Sequence, residues 1–508
     1  MKHMEKNAVA VIGAGPGGLV SARWLAQHGF EPVLFEADAS PGGQWNLSRA
    51  SSATWPGMRT NTSRVMSAFS DLDHAADVSI YPRQDQMLAY LERYAAKFDL
   101  TRRIRCGTRV ERLEAAPGDG WSIRSRTKHG IAEEVFRHVV VATGAQARPL
   151  TPDIPGIESF KGALGIAHTA RYEGAARYNG RSVVVAGCSI SALEIASDLA
   201  FSGAQVTSSY RRQRYIVPKL IAGVPAEHVL FNRAAALAGE TLPPEVLAEG
   251  LKAAVMKAGG NPARFGAREP DANVFAAGVS QSQNFLPAVA EGRIVVRPWI
   301  ECIDGEAVHF ADGTHAKPDA ILFGTGYGLS MPWLADDIAK ALGHDGKGID
   351  LFEHTFHPDL EGLAFVGLYN LVGPYLPVLE LQARWIAYTL AGHCTRISRA
   401  QMEQGIEACR AMRVRHQQPV LHDLAVRLAR HAGVEPDPAR WPELERALLF
   451  GPLSPASFRL QGVDSLDDAP ARTRAAAAAF GAITCADFMP EELQLRRLIM
   501  EKDQSLAA

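Results

Sequence analysis

The sequence is poor in cysteine, and what it has is scattered. Six Cys stand at positions 106, 188, 302, 394, 409 and 485. None forms a C-x-x-C pair or joins a Cys/His cluster, so the sequence predicts no disulfide framework and no metal site, and it has no vicinal dithiol for a redox relay. Long apolar runs are missing too: the longest are strand-sized, against the roughly 20 residues a membrane helix needs. The start, Met1-Lys2-His3-Met4-Glu5-Lys6-Asn7, carries no apolar signal region, and the expectation is a cytoplasmic chain without a membrane anchor. Charge of one sign is absent as well. The 53 Lys and Arg face 55 Asp and Glu for a net charge of -2, with no basic block, which argues against a nucleic-acid-binding surface.

What is present is ordinary globular material, 47% hydrophobic and 21% charged over 508 residues, enough for two or three domains with sizeable cores. The first organised signal is an apolar strand, Ala8-Val9-Ala10-Val11-Ile12, running into Gly13-Ala14-Gly15-Pro16-Gly17-Gly18. A helical pattern from Leu19 follows, then a second strand, Pro32–Phe35, ending at Glu36. Strand, G-x-G-x-x-G turn, helix, strand and acid in this order are the grammar of a dinucleotide-binding βαβ unit. Gly13 permits the tight turn, Gly15 lets a pyrophosphate approach the backbone, and Gly18 lets the helix pack on the strand. The phosphates then face the open N–H groups of the helix. Glu36 is placed to accept hydrogen bonds from ribose hydroxyls and disfavours a 2′-phosphate, so this site suits FAD or NAD.

The grammar returns at Arg181–Ala186, Gly187-Cys188-Ser189-Ile190-Ser191-Ala192, a helix to Phe201, and a strand from Gln205 to Tyr210. Here no acid follows; Arg211 and Arg212 do, with Arg214 beyond. Guanidinium forks match a phosphate, which points to the 2′-phosphate of NADPH, the alternative being a solvated basic edge. Ser189 replaces the middle glycine, crowding the pyrophosphate or bonding it. Gly42-Gly43-Gln44-Trp45 reads as backbone lying near a cofactor, with Trp45 either over a flavin face or simply in the core. The strand-then-glycine runs Val139–Gly144, Ala320–Tyr327 and Leu363–Leu368 read as further parts of the first unit. The expected fold is therefore α/β, with two Rossmann-like dinucleotide-binding domains, the second inserted into the first, and a helical C-terminal extension. The divisions are 1–170, 171–318 with 222–290 a substrate-entrance insertion, 319–400, and 401–508.

In order, these residues resemble the flavin-containing monooxygenase family over most of the chain: G-A-G-P-G-G (13–18), G-G-Q-W (42–45), Thr60-Asn61, Phe69-Ser70-Asp71 and V-A-T-G (141–144). The F-x-G…H-x-x-x-Y linker (160–172), the second glycine motif, F-G-T-G-Y (323–327) and Glu380-Leu381-Gln382-Ala383-Arg384-Trp385 continue the match. Gly162 and His168 are separated by residues 163–167, more than the family's linker usually has. The resemblance implies that Gly13, Ala14, Gly15, Pro16, Gly17, Gly18, Glu36, Gln44, Trp45, Thr60, Val110, Thr143, Gly144 and Gln382 hold FAD. Gly187, Ser189, Ser191, Ala192, Arg211 and Arg212 would hold NADPH. Asn61 would be the catalytic polar residue near the flavin edge, stabilising a C4a-hydroperoxyflavin guarded by NADP+. The implied reaction inserts one oxygen atom from O2 into a small-molecule amine or sulfide, since the linker ends at Tyr172 without the Trp-Pro of Baeyer–Villiger relatives. The alternatives are a ketone-oxidising Baeyer–Villiger enzyme and a flavin-binding redox protein without oxygenase activity. Substrate identity and oligomeric state stay open, a homodimer among the expectations.

Overall fold

The computed structural model describes residues 2–3, 7–49, 52–118 and 120–506. In the first half, β1 (Ala8–Ile12) leads into α1 (Pro16–Gln27) and β2 (Glu31–Phe35), followed by α2 (Gln84–Lys97), β3 (Ile104–Arg105) and β4 (His138–Val141). Then come β5 (Gly165–His168), β6 (Ser182–Ala186), α3 (Ile190–Phe201), β7 (Gln205–Ser209), β8 (Ile294–Arg297), β9 (Ala320–Phe323), β10 (Leu363–Phe365) and α4 (Leu376–Leu390). These strands build two separate five-stranded parallel sheets, ordered β10-β4-β1-β2-β3 and β5-β9-β6-β7-β8.

The continuous apolar character of β1, β4 and β6 follows from this arrangement, because a parallel sheet is covered on both faces and its strands need no polar side. In the first sheet, Val9 and Val11 pack with Leu19, Val20 and Trp24 of α1, Tyr90 and Leu91 of α2, and the apolar residues of α4. Ala8, Ala10 and Ile12 face the other way, onto Leu113, Trp121, Ile123 and Phe136, which belong to an antiparallel sheet of Arg109–Ala115, Trp121–Thr127 and Gly130–Phe136. The second sheet repeats the scheme. Val183 and Val185 pack on Leu193, Ile195 and Phe285, while Val184 and Ala186 meet Ile300, Val308 and Phe310.

One expectation is corrected. The strand at Ala320–Phe323, assigned to the returning first domain, pairs in parallel with β5 and β6 and so closes the second sheet; β5 itself, placed in the first part, is that sheet's edge. The chain rejoins the first sheet at β10, beside β4. A buried strand ending in glycine looks the same in either sheet, and the partner is chosen by long-range packing that local pattern does not encode. The insertion at 222–290 holds the helices Ala226–Leu230, Arg233–Thr241 and Pro244–Gly259. The C-terminal region is helical as expected, with Arg399–Val414, Leu421–His431, Glu445–Phe450, Ala469–Ala478 and Pro490–Leu506. Among the described residues no helix is long and apolar enough to cross a membrane.

Candidate active site

At the first turn the glycines are required by contact as well as by conformation. Gly13 has φ +106°, and a Cβ there would lie 2.6 Å from the Ala142 carbonyl oxygen; one on Gly18 would lie 1.9 Å from that of Gly13. Helix α1 is thus seated on its own turn. It starts at Pro16, which has no N–H, and no side chain caps it, so its first amides are open to an anion. The backbones of Gly15 and Gly43 touch, with a Cβ on Gly43 only 2.9 Å from the Gly15 Cα, so the G-G-Q-W loop forms the far wall of the turn. Glu36 is buried, and its carboxylate accepts the N–H of Ala14 at 2.8 Å and of Asp38 at 3.0 Å. It braces the turn and keeps lone pairs for further donors. Thr108 N–H donates to the Glu36 carbonyl at 2.7 Å, which brings the start of the Arg109–Ala115 strand, with buried Val110, alongside. At the end of β4 the Thr143 hydroxyl is buried with no hydrogen-bond partner among the described residues, and Gly144 beside it has φ +81°. Open helix amides, a backbone cradle that a Cβ would fill and an orphaned hydroxyl together fit a nucleotide of the FAD type.

Three of the expected residues also have structural partners in the protein. Gln382 is fully buried and spends its amide on the protein. Its Oε1 accepts from Gly367 N–H at 3.1 Å and Tyr369 O–H at 2.8 Å, and its Nε2 donates to Thr355 Oγ1 at 2.9 Å and the His354 carbonyl at 3.1 Å. These bonds shape the loop after β10. Trp45 belongs to the main core with Trp24 and Trp385, its carbonyl bonded by the Gln84 side chain. Gln44 is half-buried, and its carbonyl holds the hydroxyls of Ser52 at 2.7 Å and Thr54 at 2.9 Å.

The second turn is built differently. Gly187 has φ +132°, and a Cβ on it would meet the Gly324 oxygen at 2.4 Å. Ser189, by contrast, sits at φ -82°, where no glycine is required. Its hydroxyl donates to the Gly324 carbonyl at 3.0 Å and accepts from Ala192 N–H at 3.5 Å, so it caps α3 and ties the turn to the loop after β9. Ala192 packs where a Cβ on Gly324 would approach to 2.6 Å, and Ser191 beside it is half-buried. Past β7, Arg211 and Arg212 are both exposed, and the Arg211 guanidinium lies 4.7 Å over the Trp299 ring. Stacking holds the planar fork while its edge stays free for a phosphate. Arg214 instead turns inward, where burial lowers its pKa.

Residues 43–49 and 52–67 lie between the turns. The first stretch leaves Gly15 through the Gly43 contact, and in the second Trp55 packs edge-on against Tyr172, with centroids 5.4 Å apart, within the second sheet's core. Thr60 is buried, its N–H donating to the Pro82 carbonyl at 2.9 Å and its hydroxyl to Thr62 O at 2.7 Å. Asn61 follows, half-buried, and among the described residues its side-chain amide makes no hydrogen bond. His168 and Tyr172 of the linker have structural partners. His168 donates from Nε2 to the Gly326 carbonyl at 3.0 Å and accepts the Ala170 N–H on Nδ1 at 3.1 Å, burial lowering its pKa. Tyr172 donates to Asp198 at 2.5 Å. The sequence reading missed Ser63, two positions past Asn61, the Glu227 and His228 that it meets, and Lys219 close to Glu227. Only their burial marks them, and no spacing pattern announces it.

Two parallel sheets, one turn backed by a carboxylate and the other by arginines, with a polar loop strung between them, are the framework of an oxidoreductase served by two dinucleotides. The flavin-binding monooxygenase-like family model matches residues 6–476. Among curated relatives, dimethylaniline monooxygenase [N-oxide-forming] 2 of Rattus norvegicus is 31% identical over 481 residues, covering 89% of this chain and 88% of that protein. The chain belongs to the flavin-binding monooxygenase-like family and is a monooxygenase that uses FAD and NADPH. Two solved structures share the fold. S-allyl-L-cysteine S-oxygenase from Allium sativum is 24% identical, with TM-score 0.63 over 92% of this chain and 97% of that one. Cyclohexanone monooxygenase from Rhodococcus sp. Phi1, bound to NADP+, is 19% identical, with TM-score 0.61 over 85% and 98%.

Proposed function

We propose that this enzyme transfers one oxygen atom of O2 to a soft nucleophile, an amine nitrogen or a sulfide sulfur. In this reading the turn of Gly13 to Gly18, Glu36 and the Thr143 hydroxyl hold FAD. The turn at Gly187, Ser191, Ala192, Arg211 and Arg212 hold NADPH. Bound flavin, reduced by NADPH, supplies the redox chemistry with O2; the chain supplies placement and a site closed to water. The observation that carries the reading is the unpartnered amide of Asn61 on a segment that starts at the first turn and packs against the second body. A half-buried amide without a protein partner has donors and an acceptor to offer bound groups, and a fixed dipole at a reacting centre stabilises developing charge. An N-oxide-forming relative and an S-oxygenase neighbour support a heteroatom as the acceptor.

The test supplies NADPH, O2 and, in separate runs, a tertiary aryl amine, a thioether and a cyclic ketone, and follows oxygen uptake, product and hydrogen peroxide. Product matching NADPH consumption with the amine or thioether supports the proposal. Turnover of the ketone alone selects the Baeyer–Villiger alternative, and peroxide with every compound leaves a redox protein without oxygenase activity. Asn61→Ala is expected to keep its flavin and lose coupled oxygenation.

A further inference from the structure

The polar cluster that the proposed chemistry does not use lies where the insertion touches the Asn61 segment. The short helix Ala226–Leu230 carries Glu227 and His228, 1% and 2% exposed. Ser63 N–H donates to Glu227 Oε1, and the Ser63 hydroxyl lies 3.0 Å from His228 Nε2. One residue, two positions beyond Asn61, is therefore gripped at its backbone and its side chain by neighbours more than 160 positions away. The grip is costly to build: Glu227 Oε2 and His228 Nδ1 are buried without a hydrogen-bond partner among the described residues, and desolvating such groups is unfavourable. Burial accordingly raises Glu227 and holds His228 down to about 4. An apolar pair would fill the same space without that cost but could not fix Ser63 in one orientation, since directional bonds specify geometry where packing alone tolerates slippage.

A second tie runs alongside. The Tyr81 hydroxyl donates to the Lys219 carbonyl at 2.5 Å, and Lys219 Nζ pairs with Glu194 Oε2 at 2.6 Å. The other Glu194 oxygen accepts from the Ser282 hydroxyl at 2.8 Å. Glu194 stands on α3, the helix that begins at the second glycine turn. The loop's other bonds run from Thr60 to Thr62, from Thr62 to Ser67 at 2.8 Å, and from the Thr60 and Arg64 N–H groups to the Pro82 and Ile80 carbonyls, and these shape it without orienting it toward the second body.

We propose that Ser63, Glu227 and His228 are positioning residues for oxygen transfer, locking the Asn61 loop to the body that binds the nicotinamide nucleotide. The proposal rests on the reading of Asn61 given above. It places the effect on the step after flavin reduction, where a displaced Asn61 would let reducing equivalents escape as peroxide.

The experiment uses flavin-loaded Ser63→Ala, Glu227→Ala, Glu227→Gln and Asn61→Ala enzymes. It measures flavin content, the rate of flavin reduction by NADPH, and product and peroxide formed per NADPH. Ser63→Ala removes only the hydroxyl that meets His228 and keeps the N–H that meets Glu227, so it tests the side-chain half of the grip if the glutamate variants fold poorly. For Ser63→Ala and Glu227→Ala, flavin content and reduction rate are expected to stay within about twofold of the parent while coupled product formation falls about tenfold, the size expected for a buried hydrogen bond to a polar partner. Glu227→Gln retains an oxygen that accepts the Ser63 N–H and is expected to restore coupling. Flavin, reduction and product falling together would show an ordinary structural role and overturn the proposal, as would unchanged coupling. If Asn61→Ala leaves coupling intact, the reading of Asn61 itself falls; if Asn61→Ala alone uncouples, only the positioning role falls.

Discussion

Replacing Arg459 by Ala would test how the C-terminal region is bound to the nucleotide-binding body. Its guanidinium donates from NH1 to the Ser70 hydroxyl at 2.7 Å and to Asp71 Oδ1 at 2.6 Å, and from Nε to the Asp464 carbonyl at 2.7 Å. It also lies 5.0 Å over the ring of Trp24 on α1. The Arg459 and Asp71 side chains are 4% and 8% exposed. Asp71 keeps one other cation, Arg23 Nε at 2.7 Å, in ion-pair contact but not aligned as a hydrogen bond. Removing Arg459 leaves that carboxylate, and Glu380 bonded to Ser70 N–H at 2.7 Å, short of positive charge inside the protein. Breaking a buried pair from one side costs about 3–5 kcal/mol. For a cooperative unit of 150–250 residues each kcal/mol moves the melting point by roughly 2–4 °C, so the loss should be about 6–20 °C. The control is Arg112→Ala, which breaks a pair with Glu114 whose side chains are 45% and 47% exposed and should cost at most about 1 kcal/mol. Thermal melts of the flavin-loaded variants, followed by circular dichroism and by flavin fluorescence, supply the comparison. Equal shifts for the two variants would refute the claim that this network anchors the C-terminal region. Adding Asp71→Asn to Arg459→Met should recover part of the loss, because the stranded charge is then gone.

Gly18→Ala puts a Cβ at 1.9 Å from the Gly13 oxygen; overpacking of this kind costs about 1–3 kcal/mol, and the variant should lose its flavin on dialysis while the parent stays yellow. Arg211→Ala with Arg212→Ala should raise KM for NADPH by roughly 10- to 100-fold, at about 1.5–3 kcal/mol for hydrogen bonds to a charged group, with KM for NADH nearly unmoved; an equal rise for both nucleotides would make the two arginines a solvated edge. His228 has its pKa pulled from 6.5 to about 4 by burial, so the folded state resists the proton that the unfolded chain accepts. Stability is then flat above pH 6.5 and falls as the pH drops from 6.5 toward 4, by about 3 kcal/mol from this group. His228→Gln should lose less melting temperature than the parent between pH 7 and pH 4.5, and parallel losses would rule out His228 as a source.

The first βαβ unit was legible because everything that defines it is local. The strand expected at Pro32–Phe35 occupies Glu31–Phe35, and the glycines of the first turn are demanded by atoms within the same unit or one strand away. The second helix begins at Ile190, earlier than the expected Leu193, because Ser189 caps it. A serine directly before an apolar run is a helix start signal, and the overlapping glycine pattern of a phosphate turn masks it at this position. Gln382 lies on a helix apolar on nearly every face, and its amide is consumed by loop residues 354, 355 and 367 that only tertiary structure brings near. Glu227 and His228 were out of reach for another reason. Charged residues on a five-residue helix in an Ala-, Gly- and Pro-rich stretch read as surface, and only the packed structure shows them buried against Ser63.

The two glycine turns are built in physically different ways. At the first, α1 starts uncapped and the cradle is backbone, Gly15 against Gly43. A helix dipole and aligned amides attract an anion without a charged side chain. At the second, part of the helix terminus is already given to Ser189, and the positive charge comes from Arg211 and Arg212 on the surface, where attraction is strong in dilute buffer and weakens with ionic strength. A backbone cradle and an exposed pair of cations would therefore hold their proposed nucleotides through different physics, the second more sensitive to salt than to the shape of the turn.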